Sequence, residues 1–524
     1  MNKYATHPDV DQGASTQQPL LRGDVQWTRS DVFAVLMFSA VYLTTTLTLS
    51  SEKPITYNEF FTFDIASLPT FTAIFSALAG GIDNHPPLLY FATHVSTAVF
   101  GKSALAIRLP SIAAYYVACV SLFALARYNL PTWCAALALW LPATSRTFLY
   151  AYEARSYAFV LAFGALAILC WQRYSATGRN RFVAGLAISL IAAGASHFYG
   201  VLVFLPVAVA ETVSSLERRH VDGKLIAVVC AAAAISVAID LPIARTISAF
   251  VTVFPEKLSL RSFYQAYNSN LGGINAIAPA VIVGSSLLYA MRSSRRHAAV
   301  ALIFIPEVAA GVSLICLPIA GAGLSWVTGS AYADRYIIAS MLGVGVLVPQ
   351  VVSHCLNAEQ VRRRAPALVL GLAVFFVILA ARNYPSLRLD RQALHQEVAS
   401  TEAAAKEPVP LVIQDPYRYM RLNYYASPGL RSRVVYLRSK DDLTAYLAGR
   451  STEPAPALLA IIGASVDPEV FFRRATRFLA FADDGIDAFP PLNTMPLQIH
   501  TTRDAHIFLC ERRLNQTQRS EVGF

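Results

Sequence analysis

Acidic and imidazole side chains stand close together in two short stretches near the start of the chain. The first stretch, Tyr57–Asp64, carries Glu59 and Asp64 among aromatic residues, and the second reads Asp83-Asn84-His85-Pro86-Pro87. A carboxylate can take a proton from an attacking hydroxyl group, so Glu59 is our first candidate for a general base and Asp64 the second. A solvated loop held by aromatic anchors is the alternative interpretation.

The same two stretches raise the question of a metal. Glu59, Asp83 and His85 supply the oxygen and nitrogen ligands that bind divalent ions. The spacing of three such residues is not diagnostic, and His85 is equally able to donate a hydrogen bond or to pack against Tyr57. A divalent metal is therefore a tentative prediction, and no other cofactor is expected.

Three further polar motifs lie between apolar segments. They are Glu153-Ala154-Arg155-Ser156-Tyr157, Ser196-His197-Phe198-Tyr199 and Asp334-Arg335-Tyr336. Arginine can hold phosphate oxygens through two parallel hydrogen bonds, so Arg155 and Arg335 could stabilise an anionic phosphate. Charges at helix ends often only pair with a neighbour, which is the alternative for each motif taken alone.

The apolar segments around these motifs indicate a protein that crosses a membrane many times. The chain has 524 residues, of which 55% are hydrophobic and 15% charged, and its mean hydropathy is +0.45. A bilayer is crossed by about 20 apolar helical residues. We predict eleven such helices, at Asp31–Ser50, Ile107–Ala126, Pro131–Phe148, Tyr157–Trp171, Phe182–Ala195, Phe198–Ser214, Leu225–Pro242, Ile274–Met291, Ala298–Ile319, Ile337–Ser353 and Ala365–Ala381.

The positive charges predict how these helices are oriented. The net charge is +10, and the basic residues form short clusters between apolar blocks, as in membrane loops, so we do not expect nucleic acid as a partner. If Pro87–Phe100 does not span, all the clusters fall on the side of the basic N-terminus. The positive-inside rule favours that arrangement, and the short, polar Pro87–Phe100 segment suits an interfacial helix.

This arrangement divides the chain into three parts. Residues 1–30 form a cytoplasmic tail, and residues 31–381 form the membrane domain with a first outer loop at 51–106. Residues 382–524 form an outer domain, for which short apolar runs at Leu411–Gln414, Val434–Leu437, Leu458–Ile462 and His506–Cys510 predict strands. Helices are predicted between them, near Tyr417–Tyr425, Asp441–Ala448 and Asp467–Phe478, so a small α/β domain results.

The ordered series of motifs resembles the GT-C superfamily of glycosyltransferases. The similarity is to the bacterial branch related to protein O-mannosyltransferases and lipid A aminoarabinose transferases. It covers roughly Asp31 to Ser353 and rests on the acidic first-loop motif, His85-Pro86-Pro87-Leu88, Arg108-Leu109-Pro110-Ser111 and the three motifs above. Relatives usually carry Asp-Glu where this chain has Asn58-Glu59, and Asn58 cannot accept a proton.

The resemblance implies an integral membrane enzyme that uses a sugar carried on a polyprenyl phosphate. With the outward placement of the motifs, it predicts transfer at the periplasmic face of a bacterial inner membrane. The acceptor is a glycan, a lipid A core or a protein, and membrane lipids surround the chain. We expect the donor phosphate to be bound by His85, Arg108, Arg155, Arg335 and Tyr336, and the substrate cavity to be lined by Tyr57, Asn58, Glu153, His197 and Tyr199.

A transporter or flippase for a lipid-linked substrate is the competing interpretation. It also explains eleven helices and charges at the membrane edge. It predicts buried charges near the bilayer midplane and broken helices in two symmetric halves, whereas the charges here are predicted to cluster at one face.

Overall fold

The computed structural model describes residues 26–248, 258–270, 305–356, 358–437, 455–481, 497–501 and 506–512. In these residues the chain is mainly helical. The helices before the second gap are α1 Arg29–Glu52, α2 Tyr57–Ala66, α3 Phe71–Ala79, α4 Leu88–Phe100, α5 Ala104–Arg127, α6 Thr132–Ala143, α7 Tyr157–Thr177, α8 Asn180–Gly194, α9 Phe204–Arg218, α10 Gly223–Ser248 and α11 Leu260–Asn270. Those after it are α12 Ile305–Ile315, α13 Leu317–Thr328, α14 Ser340–Cys355, α15 Ala358–Ala404, α16 Pro416–Tyr425, α17 Pro428–Arg431, α18 Ala455–Ile461 and α19 Pro468–Arg474.

The predicted membrane character is confirmed. Among the described residues, six helices are long and apolar enough to cross a bilayer, and the pair α12 and α13, bent by 53°, makes a seventh. Three more predicted blocks coincide with the shorter apolar helices α6, α8 and α14. The block Ile274–Met291 and residues 298–304 lie outside the described residues.

The first helix and the fifth run in opposite directions and meet at both ends. At one end, Arg127 at the end of α5 donates to Asp31 at the start of α1 over 2.6 Å, and Thr132 donates to the same carboxylate. At the other end, Arg108 donates to the carbonyls of Ser50 and Lys53, where α1 ends. The segment between α1 and α5 therefore leaves and re-enters the bundle at the same end.

That returning segment contains α2, α3 and α4 and corresponds to the predicted first outer loop. Helix α4 has 13 residues, about 20 Å at 1.5 Å per residue, which is shorter than the hydrocarbon core of about 30 Å. Its amide at Leu88 donates to the carbonyl of Ala195, at the end of α8. The start of α4 is thus held against the end of α8, and the interfacial assignment of Pro87–Phe100 stays a prediction.

Helix α15 is longer than predicted. It has 47 residues and continues through Pro385 and the predicted domain boundary at residue 382. Beyond that boundary, Leu394 and Val398 are buried. These two residues lie four positions apart and so share one face of a helix, which explains why the helix continues beyond its apolar, membrane-spanning part.

The C-terminal part forms a mixed six-stranded sheet. Its strands are β1 Leu411–Ile413, β2 Val434–Leu437, β3 Ser465–Val466, β4 Arg477–Phe481, β5 Leu497–Thr501 and β6 Ile507–Arg512, in the order β3-β2-β1-β4-β6-β5. Strands β3, β2, β1 and β4 are parallel, while β6 pairs antiparallel with β4 and with β5. The predicted small α/β domain is confirmed in its architecture.

One local prediction for this domain is wrong, and one predicted helix is too long. Leu458–Ile462, predicted as a strand, lies mostly in helix α18, and the predicted helix Asp467–Phe478 ends at Arg474 and is followed by strand β4. Short apolar runs do not separate a strand from one buried helical turn, and Pro456 suits the first turn of a helix. The predicted helix Asp441–Ala448 lies outside the described residues.

Candidate active site

Glu59 and Arg108 form a fully buried ion pair beneath the first outer loop. Both side chains have 0% exposure, and Nε and Nη2 of Arg108 donate to the two carboxylate oxygens over 2.7 and 2.8 Å. The carboxylate also accepts from the amides of Ala154 and Thr56. Burial would raise the pKa of Glu59, but Arg108 and Lys53 lower it to about 2.

Arg108 uses all five of its N–H groups in the same place. Two bind Glu59, and the other three donate to the carbonyls of Ser50, Lys53 and Pro54. Neither a free donor for phosphate nor a solvent-facing carboxylate remains. This geometry does not favour the roles predicted for Arg108 in donor binding and for Glu59 as general base. The contacts of the pair instead connect α2 and α5 to the end of α1.

A second group of predicted residues does converge. The His85 imidazole lies between Asp83 and Arg155: Nδ1 is 3.0 Å from a carboxylate oxygen of Asp83, and Nε2 is 3.2 Å from Nη2 of Arg155. Arginine can only donate and a carboxylate can only accept, so the imidazole is neutral with its hydrogen on Nδ1. Burial and the charge of Arg155 both lower the pKa of His85.

Asp83 is held as an ion by its neighbours. Burial would raise the pKa of Asp83, but His85 and Arg155 lower it well below its usual range. Its second carboxylate oxygen accepts from the phenol of Tyr90 over 2.6 Å and lies 3.7 Å from Nη1 of Arg155. This carboxylate orients the imidazole and the guanidinium, as second partners of catalytic histidines commonly do.

Arg335 and His197 complete this group from later parts of the chain. The guanidinium of Arg335 lies over the ring of Tyr336, 5.2 Å from its centroid, and Tyr336 packs against His197. The ring of His197 lies 5.3 Å from that of His85, and its Nδ1 accepts from the amide of Tyr199. Burial, with the nearby His85 and the two arginines, keeps the pKa of His197 well below its usual value. We call His85, Arg155, His197 and Arg335 the arginine–histidine cluster.

The cluster lies beside a large cavity at the same end of the bundle. The cavity has a volume of about 940 Å3, and Arg335, Asp334 and Tyr150 are among its lining residues. Its remaining wall comes largely from apolar side chains of α6, α14 and α15, including Leu141, Met341, Val344, Leu372, Phe375 and Leu379. An anionic head group and an apolar chain would find matching surfaces here.

The remaining predicted cavity residues take different positions. Tyr199 and Tyr336 pack against each other, with ring centroids 5.2 Å apart, and both contact His197. Glu153 instead pairs with Lys53 over 2.9 Å, and Tyr57 packs against Tyr417 of the C-terminal domain. Exposed Asn58 lies at the edge of the cluster, where its carbonyl is 3.5 Å from Nη1 of Arg155.

Asp64 lies on another side of α2. It lines a separate cavity with Lys102 and residues of the C-terminal domain. Asn58, which contacts Arg155, is six positions earlier, about 240° around the helix and about 9 Å along it. The structure therefore separates Asp64, our second candidate base, from the arginine–histidine cluster.

The tentative metal site does not fit the described residues. They contain no group of three or more His, Cys, Asp or Glu side chains that could hold an ion. Glu59 is bound to Arg108, while Asp83 and His85 bind each other. We derive no chemical step through a metal.

Two residues of this site were not predicted from the sequence. Arg146 lines the large cavity together with Arg335, and Tyr90 holds Asp83. Arg146 lies inside the predicted apolar block Pro131–Phe148, three residues after the end of α6, so a charge within that block was a usable signal. Tyr90 carried none, because a tyrosine in an apolar helix is indistinguishable from an interfacial anchor.

Comparison with known proteins agrees with this geometry. A family described as dolichyl-phosphate-mannose-protein mannosyltransferase matches residues 84–242, which include His85, Arg155 and His197. No curated protein sequence matches the chain. The crystal structure of ArnT from Cupriavidus metallidurans in the apo state is 17% identical with a TM-score of 0.55, and the alignment covers 91% of this chain and 98% of that chain. The chain therefore shares the overall fold of ArnT.

Two more solved structures are similar to this chain. ArnT from Cupriavidus metallidurans bound to undecaprenyl phosphate is 15% identical with a TM-score of 0.50, covering 91% of this chain and 97% of that chain. The oligosaccharyltransferase of Archaeoglobus fulgidus in complex with Zn and sulfate is 11% identical with a TM-score of 0.40, covering 84% and 68%. The likeness to ArnT confirms the predicted fold, a helical membrane domain with a small C-terminal α/β domain.

Proposed function

We propose that this protein moves a sugar from a polyprenyl-phosphate donor to an acceptor hydroxyl group at the periplasmic face of a bacterial inner membrane. The acceptor is an envelope glycan, a lipid A core or a protein. One observation carries the proposal. Arg335 belongs both to the arginine–histidine cluster and to the lining of the cavity with an apolar wall. A lipid phosphate needs these two environments side by side.

The donor phosphate would be held by Arg155 and Arg335. The charges of both guanidinium groups act on His85 and His197, and Arg155 is 93% buried. Hydrogen bonds to ionised groups in such a desolvated place are about twice as strong as neutral ones. As the glycosidic bond breaks, negative charge grows on the phosphate, and fixed cations stabilise that charge. The polyprenyl chain would lie along the apolar wall of the cavity.

His85 is our candidate for the general base, in place of Glu59 and Asp64. Its Nε2 lone pair is directed at Arg155 and becomes available when that guanidinium turns to the phosphate. The acceptor oxygen then attacks the anomeric carbon, the bond from that carbon to the phosphate oxygen breaks, and the hydroxyl proton passes to Nε2. Asp83 orients the ring and stabilises the imidazolium, and polyprenyl phosphate leaves as an anion.

The periplasmic placement is supported by charge. Asp31 and Arg127 mark the end of the bundle opposite the cluster, and the basic clusters of the loops are predicted on that same side. ArnT bound to undecaprenyl phosphate has a related fold, which supports a lipid-linked donor. The proposal names the donor and the acceptor only by chemical class.

The direct test measures the release of polyprenyl phosphate by the purified protein in lipid nanodiscs. The donors are polyprenyl-phosphate-linked mannose, galactose, galacturonate and aminoarabinose, each with an envelope extract as the source of acceptor. We expect acceptor-dependent release from at least one donor. A flippase would move the intact donor and release nothing, so failure with all four donors would contradict a transferase.

A matched pair of variants connects that activity to the cluster. Arg335→Ala should weaken donor binding about 10- to 100-fold, as expected for the loss of one or two charge-assisted hydrogen bonds. Arg363→Ala is the control, because Arg363 is exposed and pairs with Glu359 at the start of α15. Equal donor affinity in the two variants would exclude Arg335 from the phosphate site.

A further inference from the structure

A second cavity lies where the first outer loop meets the C-terminal domain. It has a volume of about 460 Å3, within the range of small-molecule sites. We call it the loop–domain cavity. Its lining joins a carboxylate, an amine, an amide and aromatic rings: Phe63, Asp64, Lys102, Tyr419, Asn423 and Tyr424.

Asp64 is the chemically unusual member of this lining. It is half-buried, and burial raises the pKa of its carboxyl to about 7, with Lys102 opposing the shift. Among the described contacts of the chain, Asp64 has no hydrogen-bond partner for its carboxylate. A half-buried carboxyl costs free energy unless water or a ligand binds it, so Asp64 offers a polar group to a molecule that enters the cavity.

The rest of the lining selects among ligand classes. Lys102 balances the charge of ionised Asp64, while Arg431, also in the lining, donates to the carbonyls of Tyr424 and Ala426. An anion would therefore meet a carboxylate and little free positive charge. A polyhydroxylated ring suits the site better, because its hydroxyl groups both donate and accept and its C–H face packs on aromatic rings.

We propose that the loop–domain cavity binds a sugar unit of the acceptor glycan, with Asp64 and Asn423 as its hydrogen-bonding groups. The inference rests on the proposed glycosyl transfer, and it assigns to the C-terminal domain a direct part in choosing the acceptor. Helix α2 connects the two sites, since its first turn touches Arg155 and its last turn carries Asp64. A glycan seated in the cavity is thereby tethered near the transfer site without contributing to the chemistry.

Binding is tested on the full-length protein in nanodiscs, without any donor. The probes are methyl glycosides of mannose, galactose and glucose, and galacturonic acid, detected by saturation-transfer NMR. We expect at least one sugar to receive saturation from the wild-type protein, and the signal to fall at least 5-fold in Asp64→Asn and Asn423→Ala. Asp390→Asn is the control, because Asp390 is an exposed carboxylate on α15, and it should bind as the wild type does.

Three outcomes overturn the inference. One is the absence of saturation transfer for every sugar, and another is equal binding by Asp64→Asn and Asp390→Asn. The third is displacement of the bound sugar by inorganic phosphate at equal concentration, which would make this an anion site. Because no donor is present, these results are independent of polyprenyl phosphate release, so either proposal can fail while the other stands.

Discussion

Replacing Glu59 by glutamine separates a structural role from a catalytic one. Glutamine keeps the size of the side chain and one acceptor oxygen, but the ion pair with Arg108 is lost. Two charge-assisted hydrogen bonds, of 2.7 and 2.8 Å, are weakened or removed, and a buried guanidinium is left without its counter-charge. Breaking such a buried pair costs about 3–5 kcal/mol, a large part of a typical folding stability of about 5–15 kcal/mol.

The loss should be local to the first outer loop. Arg108 also holds the carbonyls of Ser50, Lys53 and Pro54, so the end of α1 and the start of α2 are expected to loosen together. Thermal unfolding of the purified variant in detergent measures the stability, and proteolysis of residues 51–66 measures the loop. Glu359→Gln is the control, because Glu359 pairs with Arg363 where both side chains are exposed and less free energy is at stake.

The pH dependence of the folding stability shows in which direction ionised Glu59 acts. The pKa of Glu59 is lowered to about 2, so its stabilising contribution is fully present above the unfolded value of about 4.3 and is lost as pH falls through about 2. At pH 7 the wild type should therefore be the more stable protein. Abolished transfer in a Glu59→Gln protein that keeps wild-type thermal stability and protease resistance would refute the structural role and restore Glu59 as the base.

Three further predictions concern the arginine–histidine cluster. His85→Gln should lower kcat about 10²- to 10⁴-fold, the usual contribution of a general base, with a donor affinity close to that of the wild type; an unchanged kcat would remove His85 from this role. Because the pKa of His85 is lowered and the neutral form is the base, the wild-type rate should fall with decreasing pH only below about 6.5. If the midpoint of this decrease lay above pH 7, a group other than His85 would cause it. Asn58→Asp should change kcat less than about 3-fold if His85 is the base, whereas a large gain would transfer the role to position 58.

The membrane helices were predictable because their signal is local. A run of apolar residues is sufficient to identify a span, and every predicted block within the described residues falls on a helix. The end of α15 was not predictable in this way. Its apolar composition stops near Ala381, but Leu394 and Val398 continue the buried face at helical spacing, and only the packing partner shows that the helix persists.

The site was predictable in its members but not in its pairings. The sequence identifies His85, Arg155, His197 and Arg335 as polar groups at segment ends, and the structure brings these four together. The pairing of Glu59 was not predictable, because its partner, Arg108, is 49 positions away, and an acidic residue in an aromatic segment looks the same whether it is free or paired. Burial and pairing depend on contacts between distant segments, which spacing along the chain does not encode.

Helix α15 has a mechanical consequence for the C-terminal domain. Its 47 residues span about 70 Å at 1.5 Å per residue, and the same rod that crosses the membrane ends seven residues before the first strand of the sheet. The domain thus follows directly on a continuous helix, and the length of that helix sets the distance of the domain from the lipid surface. Inserting a single residue into α15 would rotate the whole domain by about 100° and move the face carrying α16 away from α2.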